Sequence, residues 1–323
     1  MTIRVGTRGS ALALAQAGHI ADRLAEAADE EVVLVPISSE GDIDSSSLSV
    51  IGGRGVFAGA LREALLAGRC DVLVHSLKDL PTVPAEGLVV AAVPERADAR
   101  DVLCARDGAT LDTLPAGARV GTGSPRRIAQ LRRRRPDLEI VDLRGNVDTR
   151  LLRAKTGDLD AVVLSLAGLE RLGRADEVTE YLDLDAWPTA AGQGALAIEV
   201  READAAHLRP PFPEPGPVGR ALRGLSDATS EHCIAAERDV LRGLDAGCTA
   251  PIGVSARIID GELALHAVVY APSGEANVEH RATAPFDSDD LSTLQDAAAA
   301  LARETVTALL DDGAADLAPV GAA

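Results

Sequence analysis

Between Ile3 and about Val200, short apolar runs alternate with stretches whose apolar positions recur at helical spacing, the pattern of an α/β fold with a largely parallel sheet. The runs predict strands at Ile3–Val5, Val32–Ile37, Asp71–His75, Leu88–Val93, Arg119–Gly121, Glu139–Leu143, Ala161–Ser165 and Ala195–Val200. The intervening pattern is helical: Ala13, Ala17, Ile20 and Leu24 share one face, and so do Phe57, Leu61, Ala64 and Leu65, with Gly68 as the stop.

An internal echo divides this region, because VGTRGSALALAQ at 5–16 and VGTGSPRRIAQ at 120–130 both read strand, Gly-Thr turn, serine, helix. Ser10 and Ser124 stand where an N-cap belongs, and Pro125 takes the favoured first helical position. A helix N-terminus of this kind attracts anions, since free N–H groups and the helix dipole point at one spot. PERADARD at 94–101 and PTAAGQGA at 188–195 read as two crossings between the lobes, and RPPFPEPGPVG at 209–219 as a loop or rigid spacer. Beyond it the pattern predicts a helix through Cys233–Leu244 and strands near Ile252–Ile259, Glu262–Tyr270 and Asn277–Ala282, with a turn at Asp260-Gly261. A closing helix carries Leu291, Leu294, Ala298 and Leu301 on one face. The expected organisation is an α/β lobe of residues 1–94 and 195–225, including the Pro-rich insertion, a second α/β lobe of 95–194, and a smaller α+β domain of 226–323.

Composition narrows the function. The chain has 323 residues, 46% hydrophobic and 25% charged, with a net charge of −18, which fits folded domains with their own cores and excludes disorder. No signal peptide and no membrane-length apolar stretch is visible, so a cytoplasmic protein is expected. Cys70, Cys104, Cys233 and Cys248 form no CxxC pair and the six histidines no HExxH, so neither a disulfide framework nor a metal site is expected. Cys70 and Cys104 lie beside apolar runs and read as buried packing, Cys233 as helix interior. RRIAQLRRRR at 126–135 suggests nucleic acid at first, but an acidic chain with 2% aromatic residues lacks the field and the stacking surface for it. Arg132 to Arg135 read as a solvated helix end before Pro136.

Lys78 and Lys155 are the only lysines, which leaves thirty of the 32 basic residues as arginine. Arg8, Arg126, Arg127, Arg144 and Arg150 fall at predicted strand ends or first helical turns, the edge where doubly wound sheets bind ligands. A guanidinium fork pairs with carboxylates bidentately, so the set suits a polycarboxylate as readily as each arginine alone suits a surface. HSLKD at 75–79 puts Lys78 and Asp79 in a strand-end turn, either as an ion-paired loop or as a site where one carboxylate stabilises a cation or carries protons. Cys248, in LDAGCTAPIG, is either buried packing or an exposed nucleophile.

Together, IRVGTRGSALALAQA, GGRGVF, VHSLKDLP, GTGSPRR, LRGNVDTRL, LAGLERLG, AGQGALAIE and AGCTAPIG, in this order, resemble the porphobilinogen deaminase (hydroxymethylbilane synthase) family. The resemblance implies two doubly wound lobes, like those of periplasmic binding proteins, around a hinged cleft, plus a C-terminal α+β domain. It also implies a transferase of tetrapyrrole biosynthesis that condenses four porphobilinogens, with loss of ammonia, on a dipyrromethane cofactor held by a thioether to Cys248, and then releases hydroxymethylbilane. Each pyrrole carries two carboxylates, so cofactor and growing chain bring about a dozen into the protein, and unpaired burial of these would be prohibitive. By resemblance, Arg8, Ser10, Lys78, Thr122, Ser124, Arg126, Arg127, Arg144, Arg150, Arg171 and Gln193 bind cofactor and substrate. Asp79 is the catalytic aspartate, beside the pyrrole N–H groups where the azafulvene's positive charge develops. Arg54 and Phe57 belong to a loop over the cleft. The chain departs from the family at Val50 and Arg54, where lysines are common, and at Gly123, where a serine is. The expected protein is a monomer that needs no metal and binds neither nucleic acid nor membrane. A non-catalytic polycarboxylate-binding module would share the arginines but has no use for Cys248.

Overall fold

The computed structural model describes residues 2–38, 56–208, 213–247, 250–287 and 290–318, with the backbone alone for 56 and 57. The chain divides into two units, Met1–Ala97 with Ala195–Glu231, and Asp98–Gly194 with His232–Ala323.

In the first unit, β1 (Ile3–Thr7) lies between two parallel neighbours, β2 (Val32–Pro36) and β3 (Val72–Ser76). β4 (Leu88–Ala92) flanks β10 (Leu196–Arg201), which returns antiparallel to both β3 and β4, giving the order β2-β1-β3-β10-β4. Strand alternation decides which side chain meets which helix. Ile3, Val5, Val72, Val74, Ile198 and Val200 pack on one face with Ala17, Ile20 and Leu24 of α1 (Ala11–Ala28) and Val218 and Ala221 of α6 (Pro217–Ala221). Leu73 turns to the other face, against Leu61, Ala64 and Leu65 of α2 (Val56–Leu66). Each buried valine, leucine or isoleucine among these contributes about 1.5–3 kcal/mol. The Pro-rich stretch is therefore not loop throughout: Pro217 opens α6 at a position where its missing N–H costs nothing.

The second unit repeats the theme. β6 (Arg119–Gly121) runs parallel to β7 (Glu139–Val141) and β8 (Ala161–Ser165), and β5 (Asp101–Ala105) runs antiparallel to β8 and to β9 (Glu180–Tyr181), giving β7-β6-β8-β5-β9. Leu103, Val120, Ala161 and Val163 meet Leu131 of α3 (Pro125–Arg134) and Trp187 on one face. On the other face, Val102, Cys104, Val162 and Leu164 meet α4 (Val147–Lys155) and α5 (Leu166–Arg171). The same unit holds the antiparallel sheet β11 (Ile252–Ile259), β12 (Glu262–Tyr270) and β13 (Asn277–Pro285). This sheet is packed by α7 (Ala228–Gly243, from His232 on), α8 (Leu291–Asp311) and the short α9 (Ala314–Leu317). The hairpin turn falls at Asp260-Gly261 with both residues at positive φ, 51° and 83°, as a two-residue primed turn requires.

Further expectations need correction. β5 begins at Asp101, inside the segment read as a crossing. Leu291 is exposed rather than buried, because it is the first residue of α8, directly after the Asp290 cap. Ser124 occupies the N-cap position of α3 but makes no side-chain cap bond, unlike Ser10, whose Oγ accepts from the Ala13 N–H. Cys70, Cys104 and Cys233 are buried, as read. Arg132, Arg133 and Arg134 are exposed, also as read, and Arg134 pairs with Asp112, but Arg135 is half-buried because its guanidinium donates to Leu111 O and Leu114 O.

Candidate functional site

The sequence echo has a structural counterpart in each unit. A Cβ on Gly6 would lie 2.7 Å from Leu73 Cδ2, and one on Gly121 would lie 2.6 Å from Leu159 Cδ1. Each strand thus runs tight against its core just before the threonine that opens the turn. Arg8 and Ser10 follow β1, while Lys78 and Asp79 follow its parallel neighbour β3, so the four leave from adjacent strand ends at one edge of the first sheet. Leu77 and Leu80 are buried and pin a single 3-10 turn, Leu77–Asp79, between them. The Leu77 N–H donates to Ala195 O at 3.0 Å. Lys78 is left half-buried and Asp79 exposed, and among the described residues none donates a hydrogen bond to the Asp79 carboxylate.

In the second unit the ends of parallel β6, β7 and β8 carry the other candidates. Thr122 is buried after β6, and its Oγ1 accepts the Ser124 N–H at 3.3 Å. Arg144 follows β7, with its Nε sealed from solvent and 3.9 Å from Asp142 Oδ2. Arg150, in the first turns of α4, donates from Nε to Gly145 O at 2.8 Å. Arg171 ends α5 and donates from Nη2 to Gly194 O at 2.6 Å, and its burial lowers its pKa. Gly123 has a local reason for lacking a side chain, because a Cβ there would lie 2.8 Å from Leu143 O, a backbone atom that cannot swing aside.

Arg126 and Arg127 turn inward and converge on Asp101, whose side chain is fully buried. Oδ1 accepts Arg127 Nη2 at 2.6 Å and Gln193 Nε2 at 2.8 Å, while Oδ2 accepts Arg126 Nη1 at 2.8 Å and Trp187 Nε1 at 3.0 Å. Burial pushes the Asp101 carboxyl up, but the two guanidinium charges outweigh it and hold the group ionised far below the usual carboxylate range. The sequence reading missed Asp101. Its one signal is an aspartate directly before the apolar run Val-Leu-Cys-Ala, at the mouth of a strand.

Cys248 and Arg54 lie outside the described residues, as does Val50, and for Phe57 only the backbone is described. Burial raises the Cys70 thiol, and it carries that of Cys104 up to about 12, so neither forms a thiolate near neutrality. Among the described residues no three His, Cys, Asp or Glu side chains gather as a metal site, and no helix is long and apolar enough to cross a membrane. Chemically, the second unit offers a row of guanidinium groups, hydroxyls and a helix N-terminus suited to carboxylates, and the first offers Arg8 and Lys78 beside one exposed carboxylate.

Residues 3–209 match the family model described as porphobilinogen deaminase, dipyromethane cofactor binding domain, and residues 231–301 match the porphobilinogen deaminase C-terminal domain. A porphobilinogen deaminase of Leifsonia xyli subsp. xyli is 55% identical over 318 residues, 98% of this chain and 94% of that protein. Porphobilinogen deaminase 1 of Streptomyces coelicolor is 46% identical, over 98% of this chain and 97% of that protein. Among solved structures, a periplasmic substrate-binding protein of an ABC transporter from Coxiella burnetii aligns with a TM-score of 0.42 at 15% identity, covering 72% of this chain and 96% of that one.

Proposed function

Because the chain belongs to the porphobilinogen deaminase family, we propose that it is a hydroxymethylbilane synthase, which couples four porphobilinogens head to tail, losing one ammonia for each, and releases the product by hydrolysis. The observation that carries the reading is the set of guanidinium groups at the ends of β6, β7 and β8. The Nε atoms of Arg126, Arg127 and Arg144 are buried donors without an acceptor among the described residues, which suits a ligand that arrives with many carboxylates.

The same donors fit the dipyrromethane cofactor that the family's domain is described as binding. When bound, that group supplies the pyrrole end from which the product is built. In this reading Arg8, Ser10, Lys78, Thr122, Ser124, Arg126, Arg127, Arg144, Arg150, Arg171 and Gln193 bind and orient the acidic side chains of cofactor and substrate. Arg54 and Phe57 add to substrate binding, Phe57 from the first turn of α2. Asp79 has an uncommitted carboxylate, so it can face the pyrrole N–H, lower the energy of the positive charge that grows as ammonia leaves, and accept the proton shed on coupling. Cys248 is the covalent anchor, a role for which the buried thiols of Cys70 and Cys104 are unsuited.

In this reading the three-stranded sheet and its helices are a third domain that presents Cys248. The protein works as a cytoplasmic monomer, and its net charge of −18 keeps it from nucleic acid. Incubating the purified protein with porphobilinogen tests the activity: one ammonia per pyrrole consumed, with a linear tetrapyrrole formed, is expected. Retention of porphobilinogen without ammonia release would make it a polycarboxylate-binding module instead.

A further inference from the structure

We propose that Asp101 is a positioning residue of the reaction, holding Arg126 and Arg127 in the one arrangement that receives an acidic side chain of the pyrrole substrate. The inference rests on the reading of Arg126 and Arg127 as carboxylate-binding groups.

A carboxylate has about four acceptor positions, and at Asp101 four donors from four residues fill them, at 2.6 to 3.0 Å. Such a carboxylate cannot rotate without breaking several charged bonds at once, so it fixes every group that donates to it. The remaining bonds of the two arginines add to the constraint: Arg127 Nη1 donates to Val163 O at 2.9 Å, and Arg126 Nη1 to Gln130 Oε1 at 2.8 Å and to Pro188 O at 3.2 Å.

The charges at this hub do not balance. One carboxylate faces two guanidinium groups, and both arginines retain a buried Nε without an acceptor among the described residues. A purely structural ion pair has no reason to bury an excess cation, because an uncompensated buried charge is costly. Both arginines also stand on the first turn of α3, whose N-terminus adds positive potential at the same strand end. An arriving carboxylate removes the imbalance. Asp101 then does two things at once: it makes two adjacent buried arginines tolerable before the ligand comes, and it sets where their remaining donors lie. Gln193 and Trp187 are clamped to the same two oxygens, so the segment from 187 to 193 shares the arrangement.

The test uses holoenzyme and measures KM and kcat for porphobilinogen, intact mass for the bound dipyrromethane, and Tm. Asp101→Asn keeps the shape but turns a donor toward the arginines. It is expected to raise KM at least ten-fold with kcat changed less than three-fold, or to leave a folded protein unable to retain the cofactor. Leu159→Ala opens a cavity on the opposite face of the same sheet, in a core that holds none of the hub residues, and below its Tm it is expected to keep the cofactor and a KM within two-fold of wild type. An Asp101→Asn enzyme with cofactor and a KM within two-fold of wild type would overturn the proposal, as would a Leu159→Ala enzyme with the same defect. If Asp101→Asn does not fold, Trp187→Phe removes one donor from Oδ2. It should then raise KM three-fold or more at unchanged kcat, and an unchanged KM would also overturn the proposal. A wild-type protein that releases no ammonia from porphobilinogen fails at the functional reading itself, which is a different result from any of these.

Discussion

Arg62 grips Glu199 with a two-point fork, Nη2 to Oε1 at 2.8 Å and Nε to Oε2 at 3.1 Å, and so joins helix α2 to strand β10 through a carboxylate that is 2% exposed. His75 Nε2 sits 3.2 Å from the same Oε2, on the strand that leads into Asp79. Removing one member of a buried pair strands the other, so Glu199→Ala should cost about 3 kcal/mol in urea unfolding. The double variant Arg62→Met with Glu199→Leu should cost clearly less than Glu199→Ala alone. Equal losses would mean that the pair is not coupled.

The same carboxylate gives a signed pH effect. Burial raises the Glu199 pKa, but the bonds from His75 and Arg62 outweigh it and leave it below the ordinary 4.5. A lowered folded-state pKa contributes stability above the unfolded value and loses it as the pH falls through the folded one. The stability gap between wild type and Glu199→Gln should therefore narrow in acid, below about pH 4.5. A gap that stays constant across that range contradicts the assignment.

His266 acts with the opposite charge type. Burial, helped by the nearby Arg281 charge and opposed by Glu279, lowers its pKa from 6.5 to about 4. Between those values the unfolded chain takes up a proton that the folded chain refuses, so stability falls as the pH drops through the window. His266→Leu removes that term, and its Tm should gain on wild type as the pH falls from 6.5 toward 4. Parallel Tm curves would show that the ring does not titrate in this way.

Asp79 is exposed and takes no hydrogen bond from a described residue, so Asp79→Ala should change stability by only about 0.5 kcal/mol. The bound cofactor should remain, while turnover should drop about 100-fold or more. Turnover near that of wild type would remove Asp79 from the chemistry.

A charged hydrogen bond contributes about 1.5–3 kcal/mol, so Arg144→Leu should weaken substrate or cofactor handling about ten-fold. Steady-state kinetics with porphobilinogen and an intact mass read the two effects separately. Unchanged values in both would make Arg144 an ordinary surface charge.

What could be read in the sequence was local. Ile3, Val5, Ala17, Ile20 and Leu24 announced β1 and α1 because one buried face imposes a period, and all five are fully buried. Asp260-Gly261 announced its hairpin because the turn demands positive φ at both positions. The strand ends that carry the arginines followed from the same patterns. Asp101 stayed hidden because its partners stand 25 to 92 residues away in sequence and its neighbours read as a charged linker. A buried charge looks like a surface charge until its counter-ions are known. The close approach of Leu143 O to Gly123 was hidden for the same reason, since a missing side chain reports only that one did not fit.

The covalent anchoring of dipyrromethane at Cys248 is tested by the intact denatured mass of the purified protein beside that of Cys248→Ser. A cofactor anchored at Cys248 gives a wild-type mass above the bare chain by two porphobilinogens less two ammonias, and a variant at the bare-chain mass. A wild-type protein that remains at the bare-chain mass after incubation with porphobilinogen, or a variant that carries the same adduct, would contradict it.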